Sequence, residues 1–241
     1  MKRRVALNPS KRWRKLHALL EKAYGPQHWW PGETPFEVIL GAYLTQNTSW
    51  SAAVRSLANL RAAGVLTLEG IGALSLEELQ ALIRPSGFAT RKAPALKAFV
   101  TMLDGEFGGS LDTLAALPTG ALRSRLLALP GVGPETADAI LLYALNHPVP
   151  VVDEYLRRIA ARHGLATPAP GRKGYEQLAD LVRAAFATAT GETQVRLLNE
   201  NHALVVSVGK AHCRKVAHCD GCPLKPDLPE NQLLTNSSLS P

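Results

Sequence analysis

At 241 residues, 46% of them hydrophobic, the chain is long enough to bury a full core, either as one domain or as two joined lobes. Its 27 Lys and Arg against 20 Asp and Glu leave a formal charge of +7, which favours a polyanionic partner, nucleic acid before membrane. No apolar run reaches the roughly 18 residues of a membrane span, and the basic start, MKRRVALNPSKRWRK, lacks the apolar stretch of a secretory signal, so a cytoplasmic protein is expected.

In chain order, the first unusual stretch is QHWWPG, in which Trp29 and Trp30 sit between Gly-Pro and Pro-Gly, where no regular helix or strand would hold them. From Pro35, PFEVILGAYLTQ places Phe36, Ile39, Leu40, Tyr43 and Leu44 on one helical face. SAAVRSLANLRAAG repeats the pattern and stops at Gly64, a C-terminal cap. SLEELQALI opens on Ser75, a good N-cap, and breaks at Pro85-Ser86-Gly87. TRKAPALKAFVTMLDGEFGG, PTGALRSRLLALPG, GPETADAILLYAL and DEYLRRIAARHG follow, each closed by Gly or Pro. YEQLADLVRAAFATA is read as the last long helix, and strand-like alternation is nearly absent. The fold class is therefore all-α, without internal repeats and with low complexity only in the tail, NQLLTNSSLSP.

The segment LLALPGVGPETADAILLYAL carries the most chemistry. One helix ends at Leu129-Pro130, and Gly131-Val132-Gly133 makes a tight hairpin expected to need glycine at positive φ. Pro134 opens the next helix, where its missing N–H is harmless. The amides of the hairpin and helix start form an anion site that suits a backbone phosphate without sequence readout. Together with the small residues Thr136 and Ala137, this segment resembles the helix-hairpin-helix motif of the DNA glycosylase superfamily that contains endonuclease III.

The resemblance implies roles for further residues. In that family an aspartate opens the next helix, here Asp153 in HPVPVVDEYLRRIAARHG, and assists glycosidic cleavage by stabilising the oxocarbenium-like transition state and orienting or deprotonating a water. From its own position alone Asp153 reads as an N-cap. Bifunctional members carry a lysine two residues after the second glycine, whose amine forms a Schiff base with the sugar. Here that residue is Glu135, so a monofunctional, water-using enzyme is expected, without abasic-site lyase activity by that route.

Such an enzyme must take the base out of the stack. In LTQNTSW, Gln46 matches the glutamine that fills the vacated space, and Phe88, after Gly87, matches a wedge into the opposite strand; a satisfied helix end and core packing are their structural alternatives. The hairpin's Gly131, Val132, Gly133 and Thr136 complete the expected DNA contacts, with Arg91, Lys92, Arg157, Arg158 and Arg162 as candidates for the backbone. Trp29, Trp30, Pro31 and Trp50 resemble the base pocket of the 3-methyladenine glycosylases within the endonuclease III-like branch. Cationic alkylated purines are attracted to tryptophan faces more strongly than neutral bases are.

Cys213, Cys219 and Cys222 stand where many relatives hold a [4Fe-4S] cluster through four cysteines spaced C-x6-C-x2-C-x5-C. Here the spacing is C-x5-C-x2-C, with Leu228 in the fourth place, so a degenerate loop without iron is expected. An incomplete or labile cluster, or a zinc site completed by His212 or His218, are the alternatives.

The resemblance spans about residues 28 to 222. It implies a two-lobed helix-hairpin-helix glycosylase fold, with residues 36–147 as a central lobe, residues 1–35 plus 148–241 as the second, and a groove between the lobes for DNA. The expected function is base-excision repair by a monomeric enzyme that takes double-stranded DNA with a damaged base and removes alkylated purines such as 3-methyladenine. Oxidised pyrimidines, or a non-catalytic DNA-binding module, are the alternatives.

Overall fold

The computed structural model describes residues 8–29 and 32–229. Among them the chain forms twelve α-helices, and its only β pairing is a bridge between Cys213 and Ala217. None of these helices is long and apolar enough to cross a membrane. The described chain divides into two units, residues 8–29 with 148–229 and residues 32–147.

The continuous unit is built around α2, Pro35–Leu44, which starts where the Thr34 hydroxyl accepts from the Glu37 amide, with Pro35 in the first turn. Every residue from Phe36 to Leu44 is buried, so α2 is enclosed on all sides rather than amphipathic. Next, α3, Trp50–Ala62, is capped by Ser49 and ends at Gly64, whose φ of 70° lets Val65 N donate back to Leu60 O. Short α4, Leu68–Ala73, leads to α5, Leu76–Ile83, where Ser75 and Glu78 form a reciprocal capping box. Helix α6, Ala89–Phe107, buries Leu96, Phe99 and Leu103. It is followed by α7, Leu111–Ala115, and α8, Thr119–Ala128. Helix α9, Pro134–Ala139, runs on as a π-turn over Ile140–Ala144, in which Leu145 N donates to Ile140 O.

The discontinuous unit contains α1, Pro9–Tyr24, α10, Glu154–Arg162, α11, Gly171–Ala185, and α12, Gly191–Ala211. Leu16 and Leu20 from α1, Leu156 from α10, Leu178 and Val182 from α11, and Leu204 and Val208 from α12 make its core. Trp13 is 2% exposed and donates its indole N–H to Asn201 Oδ1 at 2.9 Å, so the largest ring of this core is satisfied by a buried amide. The segment after α12 is tied back by Asp227, which accepts from Arg12 at 2.6 Å and lies 3.2 Å from His163 Nδ1.

Two features depart from the sequence-based expectation. The helix over residues 175–189 is not the last: α12 follows it and, at 21 residues, is the longest in the described chain. A helix over Pro9–Tyr24 also forms within a segment that is strongly basic at its start. Both bury polar or aromatic residues at core positions, His17 and Trp13 in α1 and Asn201 and His202 in α12, which blurs the apolar periodicity.

Candidate functional site

The helix-hairpin-helix is braced from within. Arg123 on α8 donates two bonds to Asp138 on α9, Nε to Oδ1 at 2.6 Å and the terminal nitrogen to Oδ2 at 2.9 Å. Asp138 is 2% exposed, so this bidentate pair is largely shielded from water and fixes the two helices about the hairpin. The turn closes through Val132 N donating to Leu129 O. Gly131 has φ of 75°, a conformation that favours glycine, and a Cβ there would sit 3.2 Å from that of Ala95 on α6, a tight approach. Gly133 differs from expectation. Its φ is −93°, open to any residue, and nothing lies within 4 Å of an added Cβ. The protein's own sterics give Gly133 no reason to be glycine.

Gln46, in the turn after α2, donates its side-chain amide to Gly131 O at 3.0 Å and to Thr136 Oγ1 at 2.8 Å. Thr136 is 7% exposed, so its hydroxyl serves this internal bond rather than the hairpin surface expected for it. Phe88 lies at the start of α6 with φ of 51° and is 56% exposed. Core packing is therefore excluded. An aromatic residue held in the left-handed region with its ring in solvent costs free energy that local packing does not return. Trp50 opens α3 with its ring edge against α2, where a Cβ on Gly41 would meet it at 3.4 Å.

Lys92 corrects the expectation of a phosphate contact. It is 3% exposed, and its ammonium donates to Leu44 O at 2.7 Å and Ser86 O at 2.8 Å. Burial lowers its pKa from 10.5 to about 8. Arg91, its neighbour on α6, is exposed.

In the other unit α12 gathers the remaining candidates. Glu200 accepts the amides of Gln27 and His28 on its two oxygens at 2.7 and 2.8 Å, and Ser207 donates to Gln27 Oε1 at 2.9 Å. These bonds pin the segment just before Trp29 to the helix, with His28 at φ of 46°. The Trp29 ring then lies against His202, centroids 5.6 Å apart. The same histidine places Nε2 3.7 Å from Asp153 Oδ2. Asp153 caps α10 as expected, Oδ1 accepting from Leu156 N at 2.7 Å, and its side chain is 11% exposed. One carboxylate oxygen is thus committed to the helix, and the other faces His202. Trp30 and Pro31 lie outside the described residues.

Sequence reasoning missed His202 and Gly209. They are seven residues apart and therefore on one face of α12. A Cβ on Gly209 would sit 2.3 Å from Tyr155 Cδ1 and 2.7 Å from Tyr155 Cβ, so glycine lets α12 approach α10 closely enough to bring His202 to Asp153. Gly209→Ala is expected to destabilise the protein by about 1–3 kcal/mol through overpacking, read as a lowered midpoint in urea. Wild-type stability in that variant would show that Tyr155 swings aside and that the approach is not set by this glycine.

The cysteine loop is clamped by arginines that had been expected to face DNA. Arg158 donates to Cys213 O at 2.9 Å, and Arg162 donates to Cys213 Sγ at 2.9 Å and to the carbonyls of Arg214 and Lys215 at 2.8 Å each. Arg157 donates to Ala169 O at 3.1 Å. Cys213, Cys219 and Cys222 line one small cavity together with His212 and Leu228. Burial pushes the Cys219 and Cys222 thiols up from their ordinary pKa. With three thiols and Leu228 in the fourth place, this donor set does not fit a four-thiolate [4Fe-4S] cluster. No cluster of three or more metal-ligating side chains forms among the described residues.

Comparison with known proteins matches residues 40–184 to the family model for HhH-GPD superfamily base excision DNA repair proteins. A protein of Methanocaldococcus jannaschii named "putative DNA repair glycosylase" is 39% identical over 88% of this chain and 93% of its own length. The chloroplastic endonuclease III homolog 1 of Arabidopsis thaliana is 30% identical over 80% of this chain, covering 48% of that protein. Among solved structures, the H. pylori 3-methyladenine DNA glycosylase bound to 1,N6-ethenoadenine superposes with a TM-score of 0.71 at 28% identity, covering 88% of this chain and all of that one. An endonuclease III–DNA complex reaches 0.74 at 21% identity, covering 94% and 98%, a likeness of fold.

Proposed function

This chain belongs to the HhH-GPD superfamily of base excision DNA repair proteins, and from that premise we propose that it is a monofunctional DNA glycosylase that hydrolyses the N-glycosidic bond of alkylated purines such as 3-methyladenine. The observation that carries this reading is the meeting of Trp29 and Asp153 at one histidine, with His202 against the Trp29 ring and 3.7 Å from Asp153. A tryptophan face attracts a purine made cationic by alkylation. A carboxylate beside it stabilises the positive charge that develops on the sugar as the bond breaks, and can orient the attacking water. Glu135 in place of the Schiff-base lysine supports hydrolysis without lyase chemistry. The likeness to a 3-methyladenine glycosylase supports the substrate class.

In this reading Gly131, Val132 and Gly133 present backbone amides to a phosphate of double-stranded DNA, and the bare Gly133 leaves room for it. Gln46 and Phe88 enter the duplex when the base leaves. Gln46 must first give up its bonds to Gly131 and Thr136. The cysteine loop works as a structural element without iron.

The test is chromatographic separation of free bases released from methylated duplex DNA. Free 3-methyladenine, with strand breaks only after alkali, is the expected result. Release from thymine-glycol DNA and none from methylated DNA would overturn the substrate class in favour of oxidised pyrimidines. Tight binding with no base released from either would make the protein a DNA-binding module.

A further inference from the structure

Two residues that enter the duplex in the proposed reaction stand on separate turns. Gln46 follows the end of α2 by two residues, and Phe88 follows Ser86 by two. Both turns start at a backbone carbonyl aimed at the same atom: Leu44 O lies 2.7 Å and Ser86 O 2.8 Å from Lys92 Nζ. The Ser86 turn is also tied to α3, since Ser86 N donates to Ser56 Oγ at 3.0 Å and Ser56 Oγ donates to Ile83 O at 3.1 Å. One turn along α6 from Lys92, Ala95 packs beneath Gly131 of the hairpin. The first two turns of α6 therefore touch the Gln46 turn, the Phe88 turn and the hairpin.

We infer that Lys92 is a positioning residue for base extrusion, its buried ammonium setting the distance between the Gln46 turn and the Phe88 turn so that both reach the duplex together. This rests on the glycosylase reading above. A hydrophobic side chain could fill the same space, but it would leave two buried carbonyls without donors. An ammonium has three donors around one centre and can serve two carbonyls that arrive from different directions. Holding it there is costly, since burial lowers its pKa to about 8. A space-filling residue would carry no such penalty. Its bonds also keep this amine from the sugar, so the role is positional and not nucleophilic.

The experiment uses full-length protein and a duplex carrying a tetrahydrofuran abasic analogue with 2-aminopurine opposite it. The fluorescence reports displacement of the opposing base and needs no cleavage, so it does not depend on which damaged base is the substrate. Wild type is expected to raise the fluorescence on binding. Lys92→Met is expected to lose most of that rise at saturating protein, with Kd within about threefold because the hairpin's phosphate grip stays intact. Its base-release rate from methylated DNA should fall about 10- to 100-fold, as expected for a small misplacement of the reacting geometry. Lys92→Gln, which keeps two N–H donors on a neutral arm, should fall between the two. Thermal melting and circular dichroism accompany each variant. A wild-type fluorescence rise in folded Lys92→Met would overturn the inference. Loss of binding in step with loss of fluorescence, or loss of the fold in both variants, would assign Lys92 to general stability and overturn it as well. No rise with wild type would sink the extrusion reading itself, whereas a normal rise with release of a base other than an alkylated purine would sink only the substrate assignment.

Discussion

Asp153→Asn should lower the single-turnover rate of base release by about 10³-fold while leaving α10 in place. Asparagine caps a helix about as well as aspartate, so its oxygen can keep the 2.7 Å bond from Leu156 N. What disappears is the negative charge. An amide can neither stabilise an oxocarbenium-like sugar as a full anion does nor take a proton from water. Asp153→Ala separates the two roles, since it removes the charge and the cap together and adds about 1 kcal/mol of destabilisation. Urea melts of both variants beside the kinetics make the comparison. If Asp153→Asn released base within a few-fold of wild type, Asp153 would be only a cap, and the catalytic reading would fall.

Sodium borohydride should trap no covalent complex between the wild-type protein and abasic-site DNA. A trap requires an amine that attacks the sugar carbon and loses water to form an imine. Glu135, exposed in the first turn of α9, has no amine to offer. Lys92 is held by two carbonyls at 2.7 and 2.8 Å and is 3% exposed. Strand scission should therefore appear only after alkali. A trapped band on a denaturing gel would overturn the monofunctional reading, and mapping the cross-linked peptide would identify the amine responsible.

Much of this architecture was legible in the residues. Caps at Ser75 and Asp153, the break at Gly64 and the apolar spacing of α2 and α3 depend on neighbours within four residues, so sequence suffices to place them. The hairpin was legible for the same reason. Its glycines were not equivalent, however: Gly131 has a φ of 75° and lies close to Ala95 of α6, whereas Gly133 is sterically open.

The sequence by itself determined the all-helical class, the hairpin, and the replacement of the lysine by Glu135, because each is a matter of local propensity or of residue identity. Only the tertiary structure decided which polar side chains turn inward. Arg91 and Lys92 are adjacent and both cationic, yet successive residues of a helix point about 100° apart, so packing of α6 exposes one and buries the other. Asp153 and His202 are far apart in the chain, and no local pattern pairs them. They meet because Gly209 lets α12 close on α10, a steric fact that exists only when both helices are in place.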